Sequence, residues 1–571
     1  MEVTSMAETV IDNVQTKAVG FAPILKHYFE KCRIAEIIDE NVPLDPRRKV
    51  LSHGQASVAM ITGILFQVLQ LYRLCKFAAE TTVLETIFPG IAPGEYFDDR
   101  LADTLDAIFN FGIGDLETLL TQAMIEIFQI INTVCHGDTT SASVYGKCDK
   151  NRTANSIKIT FGHSKKHRDD LKQLVWSLAV SSDSAFPLFQ KAYSGNTADV
   201  TAYLEQWHNL IDLSGYKDFL YVTDSKVVTA KNMAHIHDNE GYFVAPVPMY
   251  ESYKTAFYDA LDNHSQETLL PYKEKFNRGF EVPFTITNEN KDYLFRMIFL
   301  YDHGLFNRKR STLENRVEKT KADFAELESK LNKRKLKTEE SIDTACQSIL
   351  TKRKTSDFFE FHISNDPIIT YKNTKRGRPS QNQKSEQVAV VTDHFKVKLQ
   401  FNQNPFDKAL DRCGYYPLIT NKPKEEFSIY DAMMAHKNQY KVEHTNRRAK
   451  SGFSLEPIYL QTPERIEAFL MLFKTALQVI VLIERTARRN IEERNKGLDN
   501  FMPNRKDVRN PRTEYLLREF QYIVKGDLPL PDGKTYGFVS TLNPLQEDIL
   551  NLLEVPTHCY SYNYVTNTNT S

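Results

Sequence analysis

The chain has 571 residues, 25% of them charged, and its 72 Lys and Arg residues against 73 Asp and Glu give a formal net charge of -1. A hydrophobic content of 41%, with 11% aromatic residues, is enough to bury real cores, which excludes the disordered and low-complexity classes. At roughly 100–200 residues per domain, the length predicts three or four structural units. Neutrality does not exclude a nucleic-acid partner, because Lys441–Arg512 has fifteen Lys and Arg against nine acids, whereas Lys76–Ile125 has nine acids against two bases.

The cysteines and the longest apolar stretches exclude two further classes. The seven cysteines are scattered and form no CxxC pair, so neither a zinc module nor a disulfide framework is indicated. The apolar stretches Ala56–Tyr72 and Ile466–Ile483 are interrupted by Gln and Lys. We therefore interpret both as buried helices and expect a soluble, intracellular protein.

The first region of the chain has the period of helices. From about residue 18 to residue 128, apolar residues recur at helical spacing, for example through Ile24, Tyr28 and Ile37 and again along Val58–Leu71. No catalytic pattern occurs there. We interpret 1–128 as a helical accessory domain, serving DNA-end binding or dimerisation.

From Gln129 the period changes to that of strands. Apolar or alternating runs predict strands at Ile130–Cys135, Ser156–Phe161, Leu174–Val180 and Phe219–Val222, with a helix at Asp199–Leu213. This order predicts a mixed α/β sheet. Two of the strands are expected to carry an aspartate at the carboxyl end, Asp138 and Asp224, at the edge where α/β sheets usually bind ligands. The alternative is that each is a turn former or helix cap.

The middle of the chain predicts a helical hairpin followed by strands. Between Leu305 and Asp366 there is neither Gly nor Pro, and apolar residues follow a three–four spacing, with a break near Lys333–Lys337. Four strand-like runs follow between Phe358 and Phe401. A helix-rich stretch begins near Ser428 and passes Arg489, and the chain beyond Asn490 has little periodicity apart from Thr513–Val524.

A charged helix face is the strongest chemical signal. The segment from His436 reads HKNQYKVEHTNRRAKS, and steps of three and four predict one face carrying His436, Gln439, Tyr440, Glu443, Arg447 and Lys450. With Asp138 and Asp224, Glu443 completes three carboxylates, the hard oxygen donors that suit Mg²⁺ in two-metal phosphodiester chemistry. Arg and Lys nearby would hold phosphates. The alternative is a solvated charged face.

These residues resemble a known family. HGDTTSASVYG around Asp138, FLYVTDSK around Asp224, and Glu443 with Lys450 in an E-x6-K spacing are similar to DDE transposases of bacterial insertion sequences, in the branch with a Y-x2-R-x3-E-x6-K signature. The sequence departs from that signature at two positions, with His436 in place of Tyr and Gln439 in place of Arg.

The resemblance implies the fold and its division along the chain. We expect an α/β, RNase H-like mixed sheet with flanking helices, split by a long α+β insertion and preceded by an N-terminal all-α domain. The expected units are a catalytic core in two parts, 129–235 and 426–490, an insertion domain at 236–425 and a C-terminal tail at 491–571.

The resemblance also implies the activity. Asp138, Asp224 and Glu443 would be the catalytic metal ligands for two Mg²⁺ ions, or Mn²⁺ in their place, cleaving and transferring DNA strands at terminal inverted repeats. The partners would be double-stranded DNA and a second copy in a synaptic homodimer, in the bacterial cytoplasm at the nucleoid. A catalytically inactive DNA-binding derivative and a same-fold nuclease without strand transfer are the alternatives.

Three basic segments are further candidates for DNA contact. Arg376 and Arg378, in KRGRP, resemble the core of an AT-hook, whose Arg side chains enter a narrow minor groove. Lys165–Arg168 and the basic end of the last long helix, from Arg485 to Lys496, are the other two. For each, a solvated basic surface is the alternative interpretation.

Overall fold

The structure is a computed structural model of the chain. It describes residues 14–47, 50–146, 148, 153, 155–162, 168, 170–197, 199–248, 250–264, 267–272, 275–333, 335–374, 387–503, 505–529, 534–561 and 564–567.

The N-terminal region is helical, as its apolar spacing predicts, after one short strand. In chain order the elements are β1 (Gln15–Ala18), α1 (Ala22–Lys31), α2 (Ile34–Asn41), α3 (His53–Leu65), α4 (Leu71–Glu80), α5 (Val83–Ile87), α6 (Asp98–Phe111) and α7 (Ile113–Phe128). Helix α3 begins at a capping box, in which Ser52 and Gln55 exchange side-chain-to-backbone hydrogen bonds. Its buried side chains lie on all sides, so it is a core helix of this region.

The next region forms half of a large sheet. Its elements are β2 (Val134–Val144), β3 (Lys172–Ser181), β4 (Pro187–Ser194), α8 (Asp199–Ser214), β5 (Leu220–Val222), α9 (Ala230–Asp238) and β6 (Tyr242–Pro246). The strand expected at Ser156–Phe161 is wrong: that segment contributes a single bridge, from Thr160 to Gln173. Alternation predicted a strand there, but no continuous partner strand lies beside it among the described residues.

The middle region extends this sheet and adds a helical hairpin. Its elements are α10 (Glu251–Asn263), β7 (Thr268–Tyr272), β8 (Lys275–Asn288), β9 (Lys291–Tyr301), α11 (His303–Lys330), α12 (Glu339–Arg353), β10 (Phe359–Asn365), β11 (Ile368–Asn373), β12 (Gln387–Thr392), β13 (Phe395–Phe401), α13 (Gln403–Asp411) and β14 (Tyr415–Thr420). The predicted hairpin is confirmed, with the break at 331–338. The four predicted strand runs are confirmed as the two-stranded ladders β10–β13 and β11–β12.

The last region ends in strands that return to the N-terminus. Its elements are α14 (Ile429–Lys437), α15 (Tyr440–Arg447), a π-helical turn (Arg448–Gly452), α16 (Pro463–Glu493), α17 (Thr513–Arg518), β15 (Val524–Pro529), β16 (Lys534–Val539), α18 (Pro544–Leu552) and β17 (Tyr564–Asn567). The stretch 491–571, expected to be a tail, folds back onto the start of the chain: β1 pairs antiparallel with β15. Short strands with partners hundreds of residues away leave little periodic signal.

The large sheet carries the strands that position the candidate active site. Among the described residues it has nine strands in the order β4-β3-β2-β5-β6-β14-β9-β8-β7. Strands β2, β5 and β6 run parallel, whereas β3 and β4 continue antiparallel from β2. The chain is therefore a mixed α/β protein with a large mixed sheet and many helices.

Helix α16 is the central helix of the hydrophobic core. It packs against helices of the N-terminal region and against β4, and almost every side chain from Ile466 to Ile483 is buried. It is also the one described helix long and apolar enough to cross a membrane by length and composition, and 94% of its most apolar window is buried inside the protein.

A buried ion pair joins this helix to the N-terminal region. Lys474 Nζ lies 3.2 Å from Glu117 Oε1, and the two side chains are 1% and 6% exposed. Glu117 also accepts hydrogen bonds from the backbone and side chain of Gln190 on β4, and Lys474 donates to Thr121 on α7. Burial raises the pKa of Glu117 and lowers that of Lys474, and the opposite charge of each partner counteracts the shift.

Lys474→Met is expected to destabilise the fold strongly, because it leaves the Glu117 carboxylate buried without its cation. Loss of one partner of a buried pair costs about 3–5 kcal/mol, whereas removing both partners costs much less. Urea unfolding of Lys474→Met and of the double variant Glu117→Gln/Lys474→Met measures the difference. The matched control is Lys496→Met, which removes the exposed partner of Asp499. We expect it to change the unfolding free energy by about 0.5 kcal/mol or less. Equal losses in the buried and exposed variants would contradict the assignment.

Candidate active site

The parallel pairing of β2 and β5 sets where the two aspartates lie. The register sets Val134 opposite Leu220 and His136 opposite Val222. Each aspartate follows the last pair of this register by two residues, so the pairing directs Asp138 and Asp224 to the same end of β5. Asp224 has an extended backbone and caps a short 3₁₀ turn, where its Oδ1 accepts a hydrogen bond from the Lys226 N–H at 2.8 Å.

The position of Asp138 in its strand differs from the expectation. It was expected at the end of a short strand, but β2 continues to Val144, so Asp138 lies in its interior. The parallel partner stops at Val222, while the antiparallel partner β3 continues beside β2 as far as Lys172. Asp138 therefore lies just past the end of β5. Because β5 no longer pairs with β2 there, a helix can pack against that edge of β2.

Both carboxylates affect the pKa of a buried tyrosine. Burial raises the pKa of Tyr203 well above its usual value, and the negative charges of Asp224 and then Asp138 raise it further. Tyr203 lies on α8, beneath this part of the sheet. The negative charges of both aspartates therefore act on the same buried phenol.

Helix α15 covers the open side of β2. Asn446 Nδ2 on this helix donates to Asp138 Oδ2 at 2.9 Å, and Asn446 is 6% exposed. Glu443 lies three residues earlier and so on the same helix face. Its side chain is exposed, and it makes no hydrogen bond or ion pair with the described residues. The hydrogen bond from Asn446 therefore brings the helix that carries Glu443 against the strand that carries Asp138.

A second contact fixes the start of the same helix. Gln439 Nε2 donates to the Gly137 carbonyl oxygen at 2.8 Å, so its Oε1 accepts from His136 Nδ1 at 3.1 Å. The other ring nitrogen of His136 is 2.7 Å from Ser182 Oγ. On the opposite face of β2, a glycine is required at position 137, because a Cβ atom there would stand 1.9 Å from Gln206 Oε1.

The predicted single helix face from His436 to Lys450 is wrong. Helix α14 ends at Lys437, α15 begins at Tyr440, and Lys450 lies in the π-helical turn, so the six residues do not share one continuous helix. Gln439 and Lys450 nevertheless both bond to β2, whereas Tyr440, Glu443 and Arg447 are exposed. Lys450 Nζ donates to Thr140 Oγ1 and to the Ser141 carbonyl oxygen, both at 2.6 Å. A spacing argument assumes one unbroken helix, and the two breaks rotate the faces relative to each other.

The remaining candidates of this segment divide between surface and core. Tyr440 and Arg447 are exposed and line a cavity of about 550 Å³. Arg447 also lines a cavity of about 460 Å³ together with Asn446 and Lys450. His436 packs against Tyr416 with a ring distance of 5.5 Å, and its Nδ1 is buried without a hydrogen-bond partner among the described residues.

The other basic candidates give no free DNA-binding surface among the described residues. Arg376 and Arg378 lie outside the described residues, as do Lys165–His167, and Arg168 pairs with Asp170 at 2.7 Å. At the end of α16, Arg485 pairs with Asp183, Arg489 with Glu554 and Arg494 with Asp548. These arginines hold the C-terminal segment and the β3–β4 turn against the helix.

The donor set has the chemistry of a divalent-cation site. Three carboxylates supply hard oxygen donors of the kind that Mg²⁺ prefers. As the side chains stand, no group of three or more His, Cys, Asp or Glu residues in the described part of the chain is arranged to hold a metal ion. Asp138 and Asp224 lie at the same end of β5, and the Glu443 carboxylate is exposed on α15.

Sequence reasoning missed two of the residues that build this site. Asn446 follows Glu443 by one helical turn, and that spacing would have placed it on the same face. Tyr203 carried no signal, because an aromatic residue on an amphipathic helix has the pattern of an ordinary core residue.

Comparison with protein families agrees with this geometry. Residues 138–479, more than half of the chain, match the family described as Transposase DDE domain. The chain belongs to this transposase family. Residues 14–122 match a Domain of unknown function (DUF4277). A search of curated proteins found no match. The family match begins at Asp138 and includes Asp224 and Glu443, and membership makes the chain an enzyme that acts on DNA.

The stability of this transposase is expected to fall in acid because of His436. Burial, followed by the charge of Lys437, lowers the pKa of His436 to about 4 from its usual 6.5. Below pH 6.5 the unfolded chain therefore binds more protons, and the unfolding free energy decreases until about pH 4, by roughly 1–3 kcal/mol. Urea unfolding at several pH values measures this decrease. His436→Phe, which keeps a ring against Tyr416, should show a flatter profile, and an unchanged profile would contradict the assignment.

Gln439→Ala is expected to slow DNA cleavage without weakening DNA binding. Both ends of the Gln439 amide are used inside the protein, so its loss loosens the helix that carries Glu443 rather than a DNA contact. By analogy with residues that orient metal ligands, we expect a cleavage rate about 10–100-fold lower. Gln403→Ala, which removes a glutamine bonded to Asp407 on α13, is the control. A large loss of DNA affinity with normal cleavage at saturating DNA would instead support a DNA contact.

Proposed function

We propose that this protein cleaves and transfers DNA strands at the terminal inverted repeats of an insertion sequence, in a metal-dependent reaction at Asp138, Asp224 and Glu443. The observation that carries the proposal is the parallel pairing of β2 with β5, which directs the first two carboxylates to the same end of β5. The contact between Asn446 and Asp138 then holds the helix of the third carboxylate against them.

The strand order supports an RNase H-like core. The sequence β4-β3-β2-β5-β6 consists of three antiparallel strands followed by two that run parallel to β2. An RNase H-like core has this arrangement, with its first aspartate in the strand that occupies the place of β2. The elements from α10 to β14 enter between the second aspartate and Glu443, as the proposed insertion requires.

The carboxylates would hold Mg²⁺, or Mn²⁺, with two ions per site. When bound, such ions polarise the phosphate and supply a nucleophilic water. The rest of the site orients its members. Asn446 fixes one oxygen of Asp138, Gln439 ties the start of α15 to Gly137, and Lys450 holds the following turn to β2.

We assign the DNA contacts of the site to the exposed side chains of α15. Arg447 and Tyr440 are exposed beside Glu443 and have no ion pair in the described part of the chain. Arg would grip phosphate through its forked donors, and Tyr would stack on a base. We assign the chain to the Y-x2-R-x3-E-x6-K branch, in which Glu443 and Lys450 match the signature while His436 and Gln439 depart from it.

The partners and the location follow from the same proposal. The substrate would be double-stranded DNA, both transposon ends and target, bound by a homodimer in a synaptic complex. The reaction would take place in the bacterial cytoplasm, at the nucleoid.

A second candidate function is a catalytically inactive DNA-binding protein derived from a transposase. One observation favours it: the described acidic and His side chains are not gathered into a group of three around an ion position. The assay below distinguishes the two functions, and it also separates a nuclease from a transposase by the presence of joined products.

Asp138→Asn, Asp224→Asn and Glu443→Gln are each expected to reduce strand cleavage to background. The assay uses DNA carrying the element's own terminal repeats with Mg²⁺, and EDTA should abolish the activity of the unmodified protein. The substitutions keep side-chain size but remove the charge that binds the cation. The control is Glu492→Gln at an exposed position of α16. Full activity of any of the three variants would exclude that residue as a metal ligand, and binding without cleavage by the unmodified protein would favour the inactive form.

A further inference from the structure

A basic groove lies on the middle region, between the start of α11, the end of α12 and α13. Two adjoining cavities of about 730 and 400 Å³ form it, and both are lined by Thr312, Arg316 and Lys354. Its described lining residues include one carboxylate, Asp357. The cations that the argument uses are Arg308, Arg316, Lys319, Lys352, Lys354 and Lys408.

These six cations have no close carboxylate partner in the described part of the chain. Within the described residues, none of their side chains makes a hydrogen bond or an ion pair. Elsewhere on α11 the pattern is the opposite: Arg310 pairs with Glu314 at 2.7 Å, Lys321 pairs with Glu318 at 2.8 Å, and Lys330 pairs with Glu326. On the same helix, Arg310, Lys321 and Lys330 outside the groove form close ion pairs, whereas Arg308, Arg316 and Lys319 inside it form none among the described residues.

The spacing of the cations forms a continuous stripe. Arg308, Arg316 and Lys319 are separated by eight and three residues, which keeps them on one face of α11 over about 16 Å at 1.5 Å per residue. Lys354, just beyond α12, and Lys408 on α13 face the same groove from other elements. Like charges held this close repel one another, so a bound polyanion would be favoured strongly.

The groove is joined to the segment that carries Glu443. Asp302 caps the start of helix α11, directly after β9 of the large sheet, and its Oδ2 lies 3.5 Å from Lys437 Nζ at the end of α14. Helix α15 begins three residues later. A ligand held along α11 would thus bind to a part of the protein connected by an ion pair to the catalytic segment.

We propose that this groove binds the phosphate backbone of double-stranded DNA, as a surface separate from the three carboxylates. The choice of DNA among polyanions rests on the proposed function. The groove offers Arg side chains, which grip phosphate through two donors, and Lys side chains, which act as point charges. Backbone contacts of this kind are independent of base sequence and position the duplex.

The test measures the salt dependence of DNA binding by the full chain, in EDTA so that no cleavage occurs. The groove variant is Arg308→Gln/Arg316→Gln/Lys319→Gln, and the probe is a fluorescent duplex of arbitrary sequence. Each lost phosphate contact lowers the slope of log Kd against log salt by about 0.9, so we expect a decrease of about 2–3. At moderate salt, the affinity should fall about tenfold or more.

The matched control is Arg310→Gln/Lys321→Gln/Lys330→Gln, which removes three charges from the same helix outside the groove. It should keep a slope within about 1 of the unmodified protein, because no phosphate contact is lost. Lys354→Gln/Lys408→Gln, on other elements, repeats the test if the first variant unfolds. Equal effects of the groove and control variants would overturn the proposal. Binding to phosphatidylserine vesicles that is lost in the groove variant, with DNA binding unchanged, would also overturn it.

These outcomes are independent of catalysis. Glu492→Gln, the exposed control on α16, should bind the duplex with an unchanged slope, since it leaves the groove intact. If the carboxylate variants show that the protein does not cleave DNA, the groove is still tested by its salt slope. If the groove variant binds the duplex normally, the groove proposal fails. The proposal of cleavage at Asp138, Asp224 and Glu443 does not depend on that result.

Discussion

The buried ion pair between Lys474 and Glu117 joins three parts of the molecule inside one core. Lys474 lies in the middle of α16, Glu117 on α7 of the N-terminal region, and Gln190 of β4 donates twice to the same carboxylate. Two charges so completely removed from water are tolerated because each has the other and further hydrogen bonds. The N-terminal helices, the sheet and the last long helix are consequently packed as one unit, around a helix whose apolar surface they cover.

Contacts with this core hold the candidate site in place. The π-helical turn after α15 is held by Arg448, which bonds to Glu484 on α16 and to Glu514 on α17. On its other side, α15 bonds to β2 through Asn446 and Gln439. The short helix of Glu443 is thus fixed between the sheet and the buried helix, although Glu443 itself is exposed. Precise placement of a reacting group by packed neighbours is the usual basis of catalytic geometry.

Local patterns predicted many of the elements and failed where partners were distant or the helix was interrupted. The hairpin of α11 and α12 and the strand at Lys172–Ser181 followed from their period. The strand at Ser156–Phe161 did not form, and the return of β15 to β1 was not predicted, since pairing across 500 residues has no local signature. The residues from His436 to Lys450 do not form one helix face, because the helix breaks between Lys437 and Tyr440 and becomes a π turn at Arg448.

The sequence by itself indicated most types of elements and gave Asp138, Asp224 and Glu443 as candidates through the residues around them, since motif and period are local properties. It also determined the family, which the match over 138–479 shows. Tertiary structure alone decided that Asp138 is interior to its strand, at the end of β5 that Asp224 follows, and that Asn446 is bonded to it. It also decided that the cations of α11 at the groove lack carboxylate partners. These features depend on strand register and on side chains from distant segments, and long-range packing sets both.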